Sequence, residues 1–127
     1  MNIQRVLGIF LLFLSHALSL QAQSGLLQSG PMLGYSDMRE VALWVQTEAA
    51  AKVKFAYWEK GKKDSKKFTE ELLTQKQNAF TATLPAELLE PGLQYEYELY
   101  INNKVEKLPY PLEFRTQPVW RWRGEAP

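Results

Sequence analysis

The chain lacks cysteine altogether and has one histidine among its 127 residues. Without cysteine it forms no disulfide and cannot carry the lipid anchor of a lipoprotein. The one histidine, His16, lies in an apolar stretch near the N-terminus. Because cysteine and histidine are the ligands that transition-metal sites favour, we expect no metal site and no cofactor in this chain.

Motifs for catalysis are missing as well. The sequence contains no Gly-x-Ser-x-Gly elbow and no glycine-rich phosphate loop, and its Asp and Asn residues form no clustered calcium loop. Glu96 and Glu98 are two residues apart, but that spacing places them on the solvated face of a strand rather than in an acid/base pair. We therefore predict no catalytic, cofactor-binding or metal-binding residue, and the chain alone is not expected to be an enzyme.

The N-terminal segment has the three parts of a signal peptide. Met1 to Arg5 carries one cation, Val6 to Leu20 is mostly apolar, and the small Ala22 precedes a plausible cleavage point. A membrane anchor is the alternative, but the apolar run is shorter than the ~20 residues that span a bilayer. We predict a signal peptide at residues 1–22, export to the periplasm or the cell exterior, and no stable membrane anchor.

The rest of the chain carries no excess charge. Arg5 is the only one of the 15 basic residues in the leader, which has no acid, so the remaining basic residues equal the 14 acidic ones in number. No nucleic-acid partner is expected from such a balance. One run, Lys60 to Lys67, holds five lysines and one aspartate. It could bind a phosphate-rich polymer or an anionic surface, but its Gly and Ser and its lack of interleaved aromatics favour a solvated hairpin tip.

A turn and a strand organise the second half of the chain. Pro91 fixes φ for the second position of a type II turn, and Gly92 can take the positive φ of the third. Beyond the turn, Tyr95, Tyr97, Leu99 and Ile101 alternate with polar residues, which predicts a half-buried strand. The position of Tyr95 suggests a tyrosine corner, in which the hydroxyl bonds back to the backbone of the turn. We predict structural roles for Pro91, Gly92 and Tyr95.

The segment Glu40–Thr47 is a strand with two apolar faces. Trp44 is predicted to be the core anchor, because large aromatic residues dominate sandwich cores. The opposite face carries Leu43 and Val45. A second apolar face indicates that this side of the sheet is covered by something beyond this small domain. Leu43 and Val45 are therefore candidates for a domain interface.

The other segments predict further short strands. They are an edge strand in Gly30–Tyr35, a strand at Lys52–Trp58, a strand at Asn78–Leu84 ended by Pro85, and a return strand within Val105–Thr116 after a turn at Asn102-Asn103. Residues 68–77 fit either a helical turn or a strand. Such spacing without a long helix predicts an all-β fold, a fibronectin-III/immunoglobulin-like β-sandwich of about seven strands, at residues 23–116.

The last residues, 117–127, contain Trp120 and Trp122 alternating with two arginines. Tryptophans at the end of a domain are rarely left exposed to solvent, so both are candidates for a domain interface. A sugar, a membrane surface or the edge of the sandwich itself could also cover them. We interpret this segment as a linker toward an absent catalytic domain.

Four segments carry a family resemblance. They are Ser29–Gly34 (SGPMLG), Glu40–Thr47 (EVALWVQT), Leu89–Tyr97 (LEPGLQYEY) and Phe114–Thr116 (FRT). With them the sequence resembles the N-terminal domain of alkaline phosphatase D-like (PhoD-like) secreted metallophosphatases. The first two segments are the more specific, since the other two occur in many fibronectin-III-like domains.

The resemblance implies a β-sandwich, similar to the one preceding purple acid phosphatases, that leads into a two-metal phosphoesterase domain. Divalent or trivalent metals would be held only in that domain, since its Asp, Asn, His and Cys ligands have no counterpart here. The expected partner is thus a C-terminal metallophosphatase domain in the same chain, which hydrolyses phosphate esters by metal-assisted attack. On this view the sequence is a fragment of a longer enzyme or the product of a truncated gene. The alternative is a stand-alone fibronectin-III-like binding or adhesion module.

Overall fold

The computed structural model describes residues 25–119, and these form nine short strands. The strands are β1 (Leu27–Ser36), β2 (Val41–Thr47), β3 (Lys52–Glu59), β4 (Lys67–Phe68), β5 (Leu72–Leu73), β6 (Thr81–Ala86), β7 (Gln94–Ile101), β8 (Lys104–Glu106) and β9 (Glu113–Arg115). Short 3-10 turns lie at Lys63–Ser65 and Lys76–Asn78. Within this part of the chain, no helix has the length and apolar character needed to cross a membrane.

The strands form two antiparallel sheets. The first sheet has the order β1-β2-β6. In the second, β3 and β7 pair along their length, β4 and β5 flank β3, and β8 and β9 flank β7. Because β4 with β5, and β8 with β9, each occupy one strand position, the nine segments fill seven positions. This confirms the predicted fibronectin-III/immunoglobulin-like β-sandwich.

The core lies between the inward faces of the two sheets. Alternate residues of β2, β3, β6 and β7 supply it, as period-2 strands with one buried face should. Its members are Val41, Leu43, Val45, Ala51, Val53, Phe55, Tyr57, Ala82, Leu84, Ala86, Leu89, Tyr95, Tyr97, Leu99, Ile101 and Phe114. The aromatic rings contact one another directly, with Phe55 and Tyr97 edge to face at 6.0 Å between ring centres.

The two faces of β2 are the reverse of the predicted ones. Leu43 and Val45 are fully buried in this chain's own core, so the prediction that they form a domain interface is wrong. Their partners in the ladder explain why, since Leu43 pairs with Leu84 and Val45 with Ala82, both inward residues of β6. Trp44 pairs with Thr83 and lies half-buried on the outer face, outside the core cluster, so its prediction as the core anchor is also wrong.

Edges and turns account for the remaining strand assignments. Among the described strands β1 pairs with β2 alone, which confirms an edge strand in this region. Pro85 does not end its strand, because β6 is also an edge strand and tolerates a residue without a backbone donor. Asn102 and Asn103 have φ values of 49° and 63° and connect β7 to β8, which confirms the predicted hairpin turn. Residues 68–77, left open between helical turn and strand, contain β5 and a 3-10 turn.

Candidate interaction surfaces

The turn before β7 is tied down by a tyrosine. Tyr95 is buried, its ring stacks on Phe114 at 5.3 Å between centres, and its hydroxyl accepts a hydrogen bond of 2.8 Å from the backbone N–H of Glu90. This is the geometry of a tyrosine corner. Gly92 has a φ of 72°, a value that suits glycine and closes the turn. The two residues fix the path of the chain into β7.

The segment after β9 is held against the same turn. The Thr116 hydroxyl donates a hydrogen bond of 2.7 Å to the Glu90 carbonyl and accepts one of 3.1 Å from the Leu93 N–H. The Gly92 N–H donates to the Gln117 carbonyl at 3.2 Å. Residues 116–117 therefore leave the sandwich in a fixed direction.

The turn between β1 and β2 completes this end of the molecule. The Gln117 side-chain amide donates to the Ser36 carbonyl at 3.0 Å, and the Leu89 N–H donates to the Arg39 carbonyl at 3.1 Å. Residues 35–40, 88–92 and 116–119 thus meet at one end of the sandwich, which we call the C-terminal pole. The exposed large apolar side chains of this pole are Tyr35, Met38, Leu88 and Val119.

The C-terminal pole differs from the interface predicted from sequence. Leu43 and Val45 lie in the core, and Trp120 and Trp122 lie outside the described residues. Leu88 is the most exposed member of the pole, at 80%, and has a φ of 58° that a leucine rarely adopts. Sequence periodicity could not separate it from Leu89, which is fully buried, because the two adjoin in an irregular connector.

A second surface covers the outer face of the second sheet. Aromatic rings and lysine side chains lie next to one another on this surface, although they come from separate parts of the sequence. We call it the lysine–aromatic face, and its members are Lys52, Lys54, Trp58, Lys63, Lys66, Phe68, Glu96, Glu98, Tyr100 and Val105. Lys54 Nζ lies 5.1 Å from the ring centre of Phe68 and 5.7 Å from that of Tyr100. The Nζ atoms of Lys63 and Lys66 each lie 5.2 Å from the Trp58 ring, which is only 5% exposed.

Glu98 is the electrostatic centre of this face. Its carboxylate contacts Lys63 Nζ at 2.8 Å and Lys66 Nζ at 3.3 Å. Burial alone would raise the pKa of Glu98, but the hydrogen bonds and charges of the two lysines outweigh it, so the pKa is lowered. For Lys66, burial acts to lower the pKa, and contacts with Glu98 and Tyr100 reverse the direction and raise it.

The lysine run is therefore part of the sheet surface. It forms the turn from β3 to β4, and four of its five lysines contact a carboxylate. Besides the two on Glu98, Lys60 contacts Glu113 at 3.1 Å and Lys62 contacts Glu59 at 3.0 Å. The sequence showed no aromatic residue within the run, and the rings that accompany it come from β3, β4 and β7.

A groove of about 450 Å³ adjoins this face. It is lined by Trp58, Glu96, Tyr110 and Glu113, among others. Within residues 25–119, no group of three or more His, Cys, Asp or Glu side chains is placed to hold a metal ion.

Comparison with known proteins gives one family and one fold. The family described as "Domain of unknown function (DUF7800)" matches residues 24–122. No curated protein matches the chain.

Two solved structures share the β-sandwich. The structure of PhoD has a TM-score of 0.57 and 16% identity, over 68% of this chain and 18% of PhoD. The sensor domain of the anti-sigma factor RsgI4 of Pseudobacteroides cellulosolvens has a TM-score of 0.53 and 13% identity, over 72% of this chain and 100% of that domain. At such identities the likeness shows a common fold.

Proposed function

The chain belongs to the DUF7800 family, and we propose that it is the non-catalytic N-terminal domain of an exported, PhoD-like metal-dependent phosphatase or phosphodiesterase. Its role in this proposal is to support the catalytic domain, which holds the divalent or trivalent metal ions. The sequence resemblance in residues 29–34 and 40–47 supports the proposal. So does the similarity to PhoD, where the same fold occupies a small part of a much longer chain.

The C-terminal pole is the observation that carries the proposal. Residues 116–117 are held by hydrogen bonds to the turns at Ser36 and Gly92, so a domain joined after them would emerge beside exposed apolar side chains. Burying apolar area contributes roughly 25 cal/mol per Å², and a large exposed leucine such as Leu88 therefore favours a partner surface. Trp120 and Trp122 follow directly in the sequence and remain candidates for the same interface.

The first test is enzymatic. This chain and the product of its gene read beyond codon 127 are assayed with p-nitrophenyl phosphate and bis-p-nitrophenyl phosphate, with Ca²⁺, Fe³⁺, Zn²⁺ or Mn²⁺ added. We expect activity in the longer product and none in this chain. Phosphatase activity in this chain would overturn the non-catalytic role. Absence of activity in both proteins would contradict the proposed relation to phosphatases.

The second test examines the pole. Leu88→Asp changes a side chain that is 80% exposed, and aspartate adopts a positive φ more readily than leucine. The variant should therefore leave the unfolding midpoint of the isolated chain unchanged or raise it slightly. In the longer product it should lower the midpoint or shorten the half-life of activity, because a charge would be buried at the interface. Leu73→Asp is the matched control, since Leu73 is also exposed but lies on β5. Equal effects of the two variants would exclude the pole as the docking surface.

The alternative is a stand-alone fibronectin-III-like binding or adhesion module. The full coverage of the RsgI4 sensor domain favours it, because that domain is a unit of similar extent rather than a small part of a longer matched chain. Export of either form is tested by N-terminal sequencing of the secreted product, which we expect to begin at Gln23. A product that retains residues 1–22 would contradict the predicted signal peptide.

A further inference from the structure

We infer that the lysine–aromatic face binds an acidic polysaccharide, one that carries carboxylates on its sugar rings. This goes beyond the proposed function and stands apart from it, since the face lies on the sheet rather than at the C-terminal pole. An exposed apolar ridge crosses this face. Phe68 is 50% exposed, contacts Tyr100 edge to face at 5.6 Å, and Val105 pairs with Tyr100 on the same side. The ridge crosses β4, β3, β7 and β8, a width of about 14 Å at ~4.8 Å per strand.

Cations flank this ridge without enough acids to neutralise them. Lys54 lies over both rings and has no carboxylate within ion-pair distance among residues 25–119, and the same holds for the exposed Lys52. Lys63 and Lys66 share the single carboxylate of Glu98. With Glu96 included, the face carries four lysines and two glutamates, a local positive excess on a chain whose net charge is only +1.

Rings beside unpaired lysines suit a sugar acid. An aromatic ring offers a flat apolar surface to the C–H face of a pyranose, and a neighbouring ammonium pairs with a carboxylate on the same sugar. A single-stranded nucleic acid fits less well, because such sites stack successive bases on several open rings. Of the rings on this face only Phe68 is exposed, while Tyr100 is half-buried and Trp58 is buried.

The test measures binding of the full chain to polygalacturonate by calorimetry and by affinity electrophoresis. Dextran serves as the uncharged polymer and oligo(dT) as the competing polyanion. We expect binding to polygalacturonate that weakens as salt is raised, because exposed ion pairs are screened, and no binding to dextran. Absence of binding to polygalacturonate would overturn the inference, and equal or tighter binding to oligo(dT) would replace it with a nucleic-acid site.

Two variants locate the site. Lys54→Gln and Phe68→Ala should each weaken binding by about threefold or more, since the first removes an unpaired cation and the second an exposed ring. Lys76→Gln is the matched control for charge, because Lys76 is an exposed lysine on the 3-10 turn before β6 and has no ion pair within residues 25–119. Circular dichroism shows whether each variant is folded. An equal loss in Lys76→Gln and Lys54→Gln would mean diffuse charge attraction rather than a site on this face.

Discussion

Removing the hydroxyl of Tyr95 tests the tyrosine corner with the smallest possible change. In Tyr95→Phe the ring keeps its stacking on Phe114, and only the hydrogen bond from the Glu90 N–H at 2.8 Å is lost. A net hydrogen bond contributes about 0.5–1.5 kcal/mol, and a donor left partly buried costs more, so we expect a loss of about 1–2 kcal/mol. For a domain of this size that corresponds to a fall in Tm of roughly 4–16 °C.

Urea unfolding followed by circular dichroism measures this loss, with an unchanged m-value showing that stability alone has altered. Tyr97→Phe is the matched control, because Tyr97 is buried on the same strand face but its hydroxyl makes no hydrogen bond within residues 25–119. Burial raises the pKa of Tyr97 to about 12, which moves the titration of this hydroxyl still further from neutral pH. Equal losses in the two variants, or none in Tyr95→Phe, would refute the role assigned to the corner.

Three further predictions concern the core, a glycine and an ion pair. Leu43→Ala should destabilise the isolated chain by about 2–5 kcal/mol in urea unfolding, whereas a residue kept for an outside interface would have little effect. Gly30→Ala should have a urea unfolding midpoint well below that of Gly25→Ala. Gly30 has a φ of +82° and an added Cβ would lie 3.1 Å from the Trp44 carbonyl oxygen, whereas a Cβ at Gly25 would meet open space. Equal midpoints of the two variants would contradict this. Since the pKa of Glu98 is lowered in the folded state, its carboxylate stabilises the fold above about pH 4.3, and this contribution is lost as pH falls through the folded pKa. Glu98→Gln should remove that part of the acid dependence of the unfolding free energy. An unfolding free energy that depends on acid pH in the same way in both proteins would argue against stabilisation by the Glu98–lysine contacts.

Local chemistry made several features predictable. Pro91 with Gly92, and Asn102 with Asn103, are residues whose backbone preferences select turns irrespective of distant contacts. The alternation from Tyr95 to Ile101 placed one face of β7 in the core, because a strand with a single apolar face has one way to bury it. With turns at near-regular spacing, these signals were enough to predict the β-sandwich and the segments that contain β1, β2, β3, β6 and β7, whereas the short strands β4 and β5 were not predicted.

Contacts between distant segments decided the rest. Both faces of Glu40–Thr47 are apolar, so only the register against β6 determined that Leu43 faces the core and Trp44 faces outward. The lysine–aromatic face depends on Phe68 and Tyr100 meeting across β3, a juxtaposition that no spacing along the chain encodes. A sequence by itself determines which segments extend and where they turn, since those are properties of neighbouring residues. The pairing of strands, and with it the choice of buried face and the assembly of surfaces, follows from the packing of the whole domain.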